Sequence, residues 1–327
     1  MPRILIIAFD GVQTLDVTGP AEVFAAATRA SGRLLYSLAF TSMGGGERTT
    51  TSSLRIRTRD LARIRPRSDD TIIVAGGGDG AIREAAQDRR LARWLRSATA
   101  VVRRLTSVCS GAFILAAAGL LEGRRVATHW SACERLARLF PSVKVDANAI
   151  FVKDGNVWTS AGVTTGIDMA LALVDEDFGP RVADAVAARL VLYVRRPGYQ
   201  SQFSDALLAQ TAGSDPLGPA ITWTRANLAM VDVGAFARRA GLSPRTLHRR
   251  CLDHLRTTPA KLIEKLRVEH ARTLLTTSHL PAKAIAHQCG FGSPVRMTRA
   301  FERELGVSAR DYRTLHAPGR IRSNENK

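Results

Sequence analysis

The first 195 residues alternate short, uniformly apolar runs with longer stretches of helical periodicity. Apolar runs rich in β-branched residues are typical of strands that are buried on both faces of a parallel sheet. The predicted strands are residues 4–9, 36–41, 71–75, 104–108 and 126–130, with a hairpin at residues 150–153 and 157–160. The predicted helices are residues 21–30, 81–100, 110–118, 131–140, 165–177 and 181–194, while residues 15–20 are a loop and residues 42–67 a loop or hairpin. This alternation predicts an α/β sandwich with a mostly parallel sheet.

After residue 216 the strand-like runs disappear, and one helical pattern occurs twice. Residues 233–251 and residues 282–301 each contain a short helix, a turn with glycine and a second helix. Gly241 and Gly290 occupy equivalent turn positions, where glycine can adopt a positive φ. Each copy is a predicted helix-turn-helix, so the C-terminal domain is predicted to be all-α with two such units. A single unit would equally fit a helical corner in an ordinary domain, but two copies with basic second helices favour DNA binding.

The second helix of each copy exposes polar and mostly basic positions. These candidate DNA-binding residues are Arg245, Thr246, His248 and Arg249 in the first copy and, after a one-residue shift, Ser293, Val295, Arg296 and Arg299 in the second. Arginine can donate to guanine edges or to phosphates. Between the copies, residues 259–275 keep a helical period and form a predicted rod of roughly 26 Å. Such a rod can hold two recognition helices in successive major grooves of one duplex.

Residues 225–315 resemble the double helix-turn-helix domain of AraC/XylS-type transcription regulators. The matching segments include residues 242–250, 266–269, 285–286, 290–291 and 306–308. The sequence departs from the family's usual pattern at Cys251, Arg256 and Met297, which are packing or turn positions. The resemblance implies sequence-specific binding to double-stranded operator DNA and, in an activator, contact with RNA polymerase.

The charge distribution agrees with a nucleic-acid partner for the C-terminal part. Residues 216–327 carry 20 Lys+Arg and 8 Asp+Glu, a net charge of +12 out of +18 for the whole chain. A basic module of this size suits a phosphate backbone. Residues 4–9 are too short an apolar run for a signal peptide or a membrane span, and the four widely spaced cysteines predict no disulfide framework. The sequence therefore predicts a cytoplasmic protein, nucleoid-associated when bound to DNA.

Several residues with useful chemistry stand at predicted strand ends, where sites form in α/β sheets. Cys109 lies at an abrupt strand-to-helix turn, a geometry that exposes a nucleophile and is expected to lower the thiol pKa. The other candidate ligand-binding residues of this pocket are Asp16, Gly76, Gly77, Ser110 and His129. Asp16 is placed to hydrogen-bond the sulfur, and the backbone N–H groups of Gly76 and Gly77 are placed to bind an oxyanion or a carboxylate. Each residue alone is compatible with an ordinary structural role, and the pocket is predicted from their joint occurrence; His129 and Cys133 do not suffice for a metal site.

Residues 3–195 resemble the ThiJ/PfpI family, whose fold is that of class I glutamine amidotransferases. The resemblance is carried by residues 9–16, 19–24, 76–77, 108–112, 117–121, 127–130 and 160–170. Cys109 matches the family's elbow cysteine, while Asp16 and His129 match motifs of the isocyanide-hydratase-like branch. Residues 195–203 resemble the end of this domain in GlxA-like regulators, which fuse it to an AraC-type domain. The resemblance also implies a homodimer.

The two halves together predict a transcription regulator. Residues 1–195 are the predicted effector-binding and dimerisation domain, 196–216 a linker, 217–317 the double helix-turn-helix domain and 318–327 a disordered tail. The expected effector is a small, nitrogen-containing metabolite, and no cofactor or metal is expected. One alternative is a cysteine-dependent hydrolase or hydratase with Cys109 and Asp16 as catalytic residues; another is a scaffold protein that binds DNA without an effector. The sequence leaves open the effector, the operator and the choice between activation and repression.

Overall fold

A computed structural model describes residues 1–192, 196, 198, 216–255, 257–305 and 307–316; residues 315 and 316 are described by backbone alone. The chain divides into two compact units, residues 1–202 and residues 203–327. The linker predicted at residues 196–216 falls mostly outside the described residues, and the tail predicted at residues 318–327 falls entirely outside them. The finer domain boundaries therefore stay predictions.

The N-terminal unit is built on an eight-stranded mixed sheet of order β3-β4-β2-β1-β5-β6-β10-β9. Strands β4, β2, β1, β5, β6 and β10 run parallel, while the edge strands β3 and β9 are antiparallel to their neighbours. A separate two-stranded sheet pairs β7 with β8. The strands are β1 Arg3–Ile7, β2 Ser37–Ser42, β3 Gly46–Thr49, β4 Arg55–Asp60, β5 Thr71–Val74, β6 Arg104–Val108, β7 Arg125–Val126, β8 Lys144–Val145, β9 Phe151–Asp154 and β10 Val157–Ser160. The α/β sandwich with a mostly parallel sheet is confirmed.

Helices cover both faces of this sheet, which explains the uniformly apolar strands. Along β1, Leu5 and Ile7 belong to one apolar core, while Ile4 and Ile6 belong to the other. Successive side chains of a strand point to opposite faces, so a strand buried on both faces must be apolar throughout. The helices of this unit are α1 Thr14–Ser31, α2 Asp79–Gln87, α3 Arg89–Thr99, α4 Gly111–Ala117, α5 Cys133–Leu139, α6 Thr165–Phe178 and α7 Pro180–Arg189.

The loop predicted at residues 15–20 is wrong, because helix α1 begins at Thr14 and includes this segment. Its Gly19 and Pro20 are buried. A Cβ at Gly19 would lie 3.1 Å from the Ile167 side chain, so the glycine allows α1 to pack closely against α6. Burial of the helix face against the core outweighs the local turn signal of Gly-Pro.

Three further boundaries differ from the prediction. Residues 81–100 form two helices instead of one, since the Asp88 side chain accepts from the N–H groups of Arg90 and Leu91 and caps α3. Residues 126–130 are not a strand: β7 ends at Val126, outside the main sheet, and a short 3₁₀ turn covers Trp130–Ala132. The helix predicted to reach residue 194 ends at Arg189, and residue 194 itself lies outside the described residues.

The described part of the C-terminal unit is helical and contains both predicted helix-turn-helix copies. Its helices are α8 Leu217–Ala226, α9 Val233–Arg239, α10 Pro244–Leu255, α11 Pro259–Thr277, α12 Ala282–Gln288, α13 Pro294–Leu305 and α14 Ala309–His316. Helices α9 and α10 form the first copy, α12 and α13 form the second, and α11 lies between them as the predicted rod. None of the described helices is long and apolar enough to cross a membrane.

Candidate functional site

Cys109 lies at the turn between strand β6 and helix α4. Its φ is +56°, a left-handed conformation that is unusual for a residue with a side chain. The turn is held on both sides, because the Cys109 N–H donates to the Ser160 carbonyl at 2.9 Å and its carbonyl accepts from the Thr128 hydroxyl at 2.9 Å. The predicted strand-to-helix elbow is present, and Cys109 is the half-buried one of the four cysteines, the other three being buried.

Asp16 lies beside this elbow, fully buried in the first turn of α1. Its two carboxylate oxygens accept from the N–H groups of Gly76, at 3.1 Å, and of Val163, at 2.8 Å. The Cys109 thiol is also hydrogen-bonded to this carboxyl. Glycine is required around the pair, since a Cβ at Gly162 would lie 2.2 Å from the Cys109 Cβ and one at Gly76 would lie 2.6 Å from the Asp16 Oδ2. The structure thus brings Asp16, Gly76 and Cys109 together as predicted.

Gly77 and Ser110 are joined to each other at the same end of the sheet. The Gly77 N–H donates to the Ser110 hydroxyl at 3.1 Å, and this hydroxyl donates to the Gly77 carbonyl at 3.0 Å. The N–H groups of Gly76 and Gly77 are therefore both engaged within the protein. The expectation that this pair of donors is available for an oxyanion or a ligand carboxylate does not hold in this structure.

The protonation of the pair differs from the sequence-based expectation. Burial raises the pKa of Asp16 to about 6, although its hydrogen bonds to Val163, Gly76 and Cys109 work in the opposite direction. Burial, and next the negative charge of Asp16, raise the pKa of Cys109 to about 12. The predicted lowering of the thiol pKa by the helix terminus is wrong, because burial of the sulfur and, next, the negative charge of Asp16 both disfavour the thiolate. At neutral pH the site therefore holds the protonated thiol of Cys109 hydrogen-bonded to the ionised carboxylate of Asp16.

His129 lies close in sequence to the elbow contact of Thr128 but does not join the Asp16–Cys109 pair. Its Nδ1 is 2.8 Å from the Ser131 hydroxyl, and burial lowers the pKa of its imidazole. Its carbonyl accepts from the Cys133 thiol at 3.5 Å. No group of three or more metal-ligating side chains occurs among the described residues.

Gly162, Val163 and Thr128 are site residues that sequence reasoning missed. Gly162 and Val163 both have positive φ, +95° and +51°, and follow directly after strand β10. Their position after a predicted strand could have identified them, because β10 lies beside β6 in the sheet and ends at the same edge. The rule that placed Cys109 at a strand end applies equally to residues 161–164.

The same segment contacts the beginning of the predicted linker. The Arg196 guanidinium donates to both carboxylate oxygens of Asp168, with a closest distance of 2.6 Å, and to the Thr164 hydroxyl at 3.1 Å. Asp168 is buried. The Gly198 carbonyl accepts from the N–H groups of Ile150 and Phe151. Val163 therefore touches the candidate pocket through Asp16, while its neighbour Thr164 touches Arg196.

In the C-terminal unit, the second helix of each copy exposes the predicted polar face. Of the eight candidate DNA-binding residues, six are exposed, and Thr246 and Ser293 are half-buried. The exposed ones are Arg245, His248, Arg249, Val295, Arg296 and Arg299. The opposite face is buried, with Leu247 and Cys251 in the first copy and Met297 and Phe301 in the second.

Short side chains begin these helices. The Ser243 hydroxyl accepts from the Thr246 N–H at 3.2 Å, and the Ser293 hydroxyl accepts from the Arg296 N–H at 3.3 Å. Both serines therefore act as N-caps, which fixes the direction in which the two basic helices start. Ser243 does so as predicted, whereas Ser293 is predicted only as a DNA contact.

A cysteine elbow at the edge of an α/β sandwich, fused to a unit with two basic helix-turn-helix copies, defines a DNA-binding transcription regulator. The comparisons with known proteins agree. Residues 2–176 match the DJ-1/PfpI family, and residues 236–314 match the model of a helix-turn-helix domain. The protein belongs to the DJ-1/PfpI family, in the group of HTH-type transcriptional regulators that carry such a domain before an AraC-type helix-turn-helix domain.

Three relatives illustrate this membership. The HTH-type transcriptional regulator GlxA of Rhizobium meliloti is 33% identical, over 88% of this chain and 88% of its own. The isonitrile hydratase of Pseudomonas putida is 32% identical, but over 62% of this chain and 83% of its own. Among solved structures, a ThiJ/PfpI family protein from Pseudomonas syringae is 28% identical with a TM-score of 0.54, covering 73% of this chain and 88% of its own.

Proposed function

We propose that this regulator senses a small molecule at the Asp16–Cys109 site and controls transcription through its helix-turn-helix units. Residues 1–195 bind the effector and form a homodimer, residues 196–216 connect the domains, and residues 217–317 bind operator DNA. In the cell the protein is cytoplasmic and lies on the nucleoid when bound to DNA. If it is an activator, RNA polymerase is a further partner.

Asp16 supports an effector with an ammonium or N–H group. Keeping a buried carboxylate ionised costs free energy unless hydrogen-bond donors replace the lost water. The raised pKa of Asp16 reflects this cost. A cationic or N–H-bearing ligand that reaches the carboxylate lowers this cost, and so binds more tightly than a neutral analogue without donors. This is the physical reason for proposing a nitrogen-containing metabolite.

The protonated thiol supports sensing over catalysis. A nucleophilic cysteine reacts as the thiolate, and a pKa of about 12 leaves almost none at neutral pH. The N–H groups of Gly76 and Gly77, which were the candidate oxyanion donors, are occupied by Asp16 and Ser110. The hydratase alternative is favoured only by the elbow geometry and by the similarity to an isonitrile hydratase.

The segment at residues 162–165 offers a route from the pocket toward the DNA-binding domain. A ligand that draws Asp16 away from the Val163 N–H shifts the neighbouring Thr164, which contacts Arg196. Arg196 is the first residue of the predicted linker. We propose that this contact transmits effector binding to the linker.

Replacing Cys109 by alanine or serine separates a sensor from an enzyme. In a sensor, at least one of the two variants keeps DNA binding within a few-fold of the parent protein, because no covalent step uses the sulfur. The measurement is the affinity of full-length protein for duplex DNA, together with an assay for hydration or hydrolysis of isocyanides, nitriles and amides. Cys133→Ala serves as the matched control, since Cys133 is a neighbouring buried thiol outside the pair. Turnover by the parent protein that falls by orders of magnitude in both Cys109 variants would contradict the sensor.

Arg249→Ala tests the first recognition helix. If Arg249 contacts a base edge, the variant is expected to lose about 1–3 kcal/mol of binding free energy on the operator and less on random DNA. The measurement compares the dissociation constants of parent and variant on both duplexes at one salt concentration. Equal losses on the two duplexes would identify Arg249 as a phosphate contact.

A further inference from the structure

Residues 55–67 of the N-terminal unit carry an exposed cluster of arginines that the effector site does not use. Every arginine in this segment is exposed, and its single acidic residue is Asp60. The members, here called the arginine face, are Arg55, Arg57, Arg59, Arg63, Arg65 and Arg67. They lie on strand β4, Arg55–Asp60, and on the segment that follows it.

Strand geometry sorts these side chains onto one side of β4. Arg55, Arg57 and Arg59 are exposed, while the alternate residues Ile56 and Thr58 point the other way. Ile56 packs against an apolar core, and the Thr58 hydroxyl donates to the Gly46 carbonyl at 2.8 Å. Because alternate residues of a strand are about 6.8 Å apart, the three guanidinium groups form a regular row.

The acidic residues nearby neutralise only part of this charge. Arg55 lies 3.8 Å from Glu47, and Arg63 lies 3.5 Å from Asp60. Both are long, exposed ion pairs, a kind that contributes little. For Arg57, Arg59, Arg65 and Arg67, no ion pair is found within the part of the chain that the structure describes. The row therefore presents a positive surface that Glu47, which pairs with Arg57 in the β3–β4 ladder, compensates only in part.

We propose that the arginine face binds the phosphate backbone of duplex DNA. Arginine matches phosphate geometry with paired N–H donors, and the chain already belongs to a class of DNA-binding proteins. The contact is independent of base sequence. This inference rests on the DNA binding proposed above. An acidic protein surface is the competing partner.

The test uses full-length protein and random-sequence duplexes of about 20 and about 60 base pairs, because nonspecific binding reports the electrostatic contribution. The variant is Arg55→Gln, Arg57→Gln and Arg59→Gln combined. For this variant, the slope of the logarithm of affinity against the logarithm of salt concentration is expected to become less steep by about 2 to 3. This is close to one for each lost phosphate contact. The parent protein is expected to prefer the longer duplex by more than the variant does.

Two further variants make the result specific. Arg33→Gln, Arg138→Gln and Arg189→Gln combined remove the same charge from scattered exposed positions of the same unit and are expected to leave the salt dependence nearly unchanged. The combined variant Arg55→Lys, Arg57→Lys and Arg59→Lys keeps the charge and is expected to keep most of the salt dependence. Equal slopes for the glutamine triple and the parent, or equal changes in the two glutamine triples, would overturn the proposal. A parent protein that binds neither duplex at low salt would instead refute DNA binding itself.

Discussion

The Asp16 carboxyl is expected to reduce the stability of the N-terminal unit as the pH rises from about 4 to about 7, a contribution that the Asp16→Asn variant lacks. In the unfolded chain Asp16 ionises near its ordinary pKa of 3.8, whereas in the folded protein its pKa is about 6. Between these values the unfolded state has released the proton while the folded state still holds it, so a rising pH favours unfolding. A shift of about two pKa units corresponds to about 3 kcal/mol.

The measurement is the free energy of denaturant unfolding at several pH values, followed by tryptophan fluorescence in a Trp223→Phe background, so that Trp94, Trp130 and Trp158 of the N-terminal unit supply the signal. Asparagine keeps the size of the side chain, so its loss of one acceptor shifts the curve by an amount that does not depend on pH. Other titrating groups, including His129 with its lowered pKa, are common to both proteins and cancel in the difference. If the free energy of unfolding has the same pH dependence in the parent and in Asp16→Asn, the raised pKa of Asp16 in the folded protein is contradicted.

This pH profile also bears on the sensor. Above pH 6 the folded protein retains an ionised, buried Asp16 whose cost a cationic ligand can offset. Such a ligand is expected to stabilise the parent protein more at pH 7.5 than at pH 5. The ligand stabilises the protein more at the higher pH because Asp16, with a pKa of about 6, is ionised there and protonated at pH 5.

The sequence predicts the parts of the fold that depend on repeating patterns. The apolar runs identify β1 and β5, and the repeated glycine turns identify both helix-turn-helix units. Local signals fail where packing decides the outcome. Gly19 and Pro20 look like a turn, yet the close approach of α1 to Ile167 keeps them within a helix.

The site is predicted in its residues but not in its electrostatics. Position at strand ends is visible in the sequence, and it brings Asp16, Gly76 and Cys109 together. The thiol pKa depends instead on burial and on the distance between the sulfur and the Asp16 carboxylate, which no pattern along the chain encodes. Val163 was missed for a related reason, because its backbone N–H, not its side chain, holds Asp16.

The two equivalent turn glycines of the C-terminal unit have similar φ values, +64° for Gly241 and +77° for Gly290, but different surroundings. A Cβ at Gly241 would meet no atom within 4 Å. A Cβ at Gly290 would lie 2.1 Å from the Leu228 carbonyl oxygen, the same oxygen that accepts from the Arg267 guanidinium. The internal repeat thus supplies a matched pair of positions that differ mainly in packing.

Gly290→Ala is therefore expected to destabilise the C-terminal unit by about 3–5 kcal/mol, from left-handed strain together with the displaced Leu228 carbonyl. Gly241→Ala is expected to cost only about 1 kcal/mol, since it suffers the strain alone.

Leu228 and Val231 lie just before α9, and Arg267 on α11 bonds the carbonyls of both, so the collision disturbs the contact between the two copies. DNA affinity at a temperature near the unfolding midpoint is expected to fall far more for Gly290→Ala than for Gly241→Ala. The measurement is the hydrogen exchange of backbone amides of the C-terminal unit in full-length variants as the temperature rises, with a duplex-binding assay beside it. Equal losses in the two variants would show that the close approach at Gly290 contributes nothing to the stability of the unit.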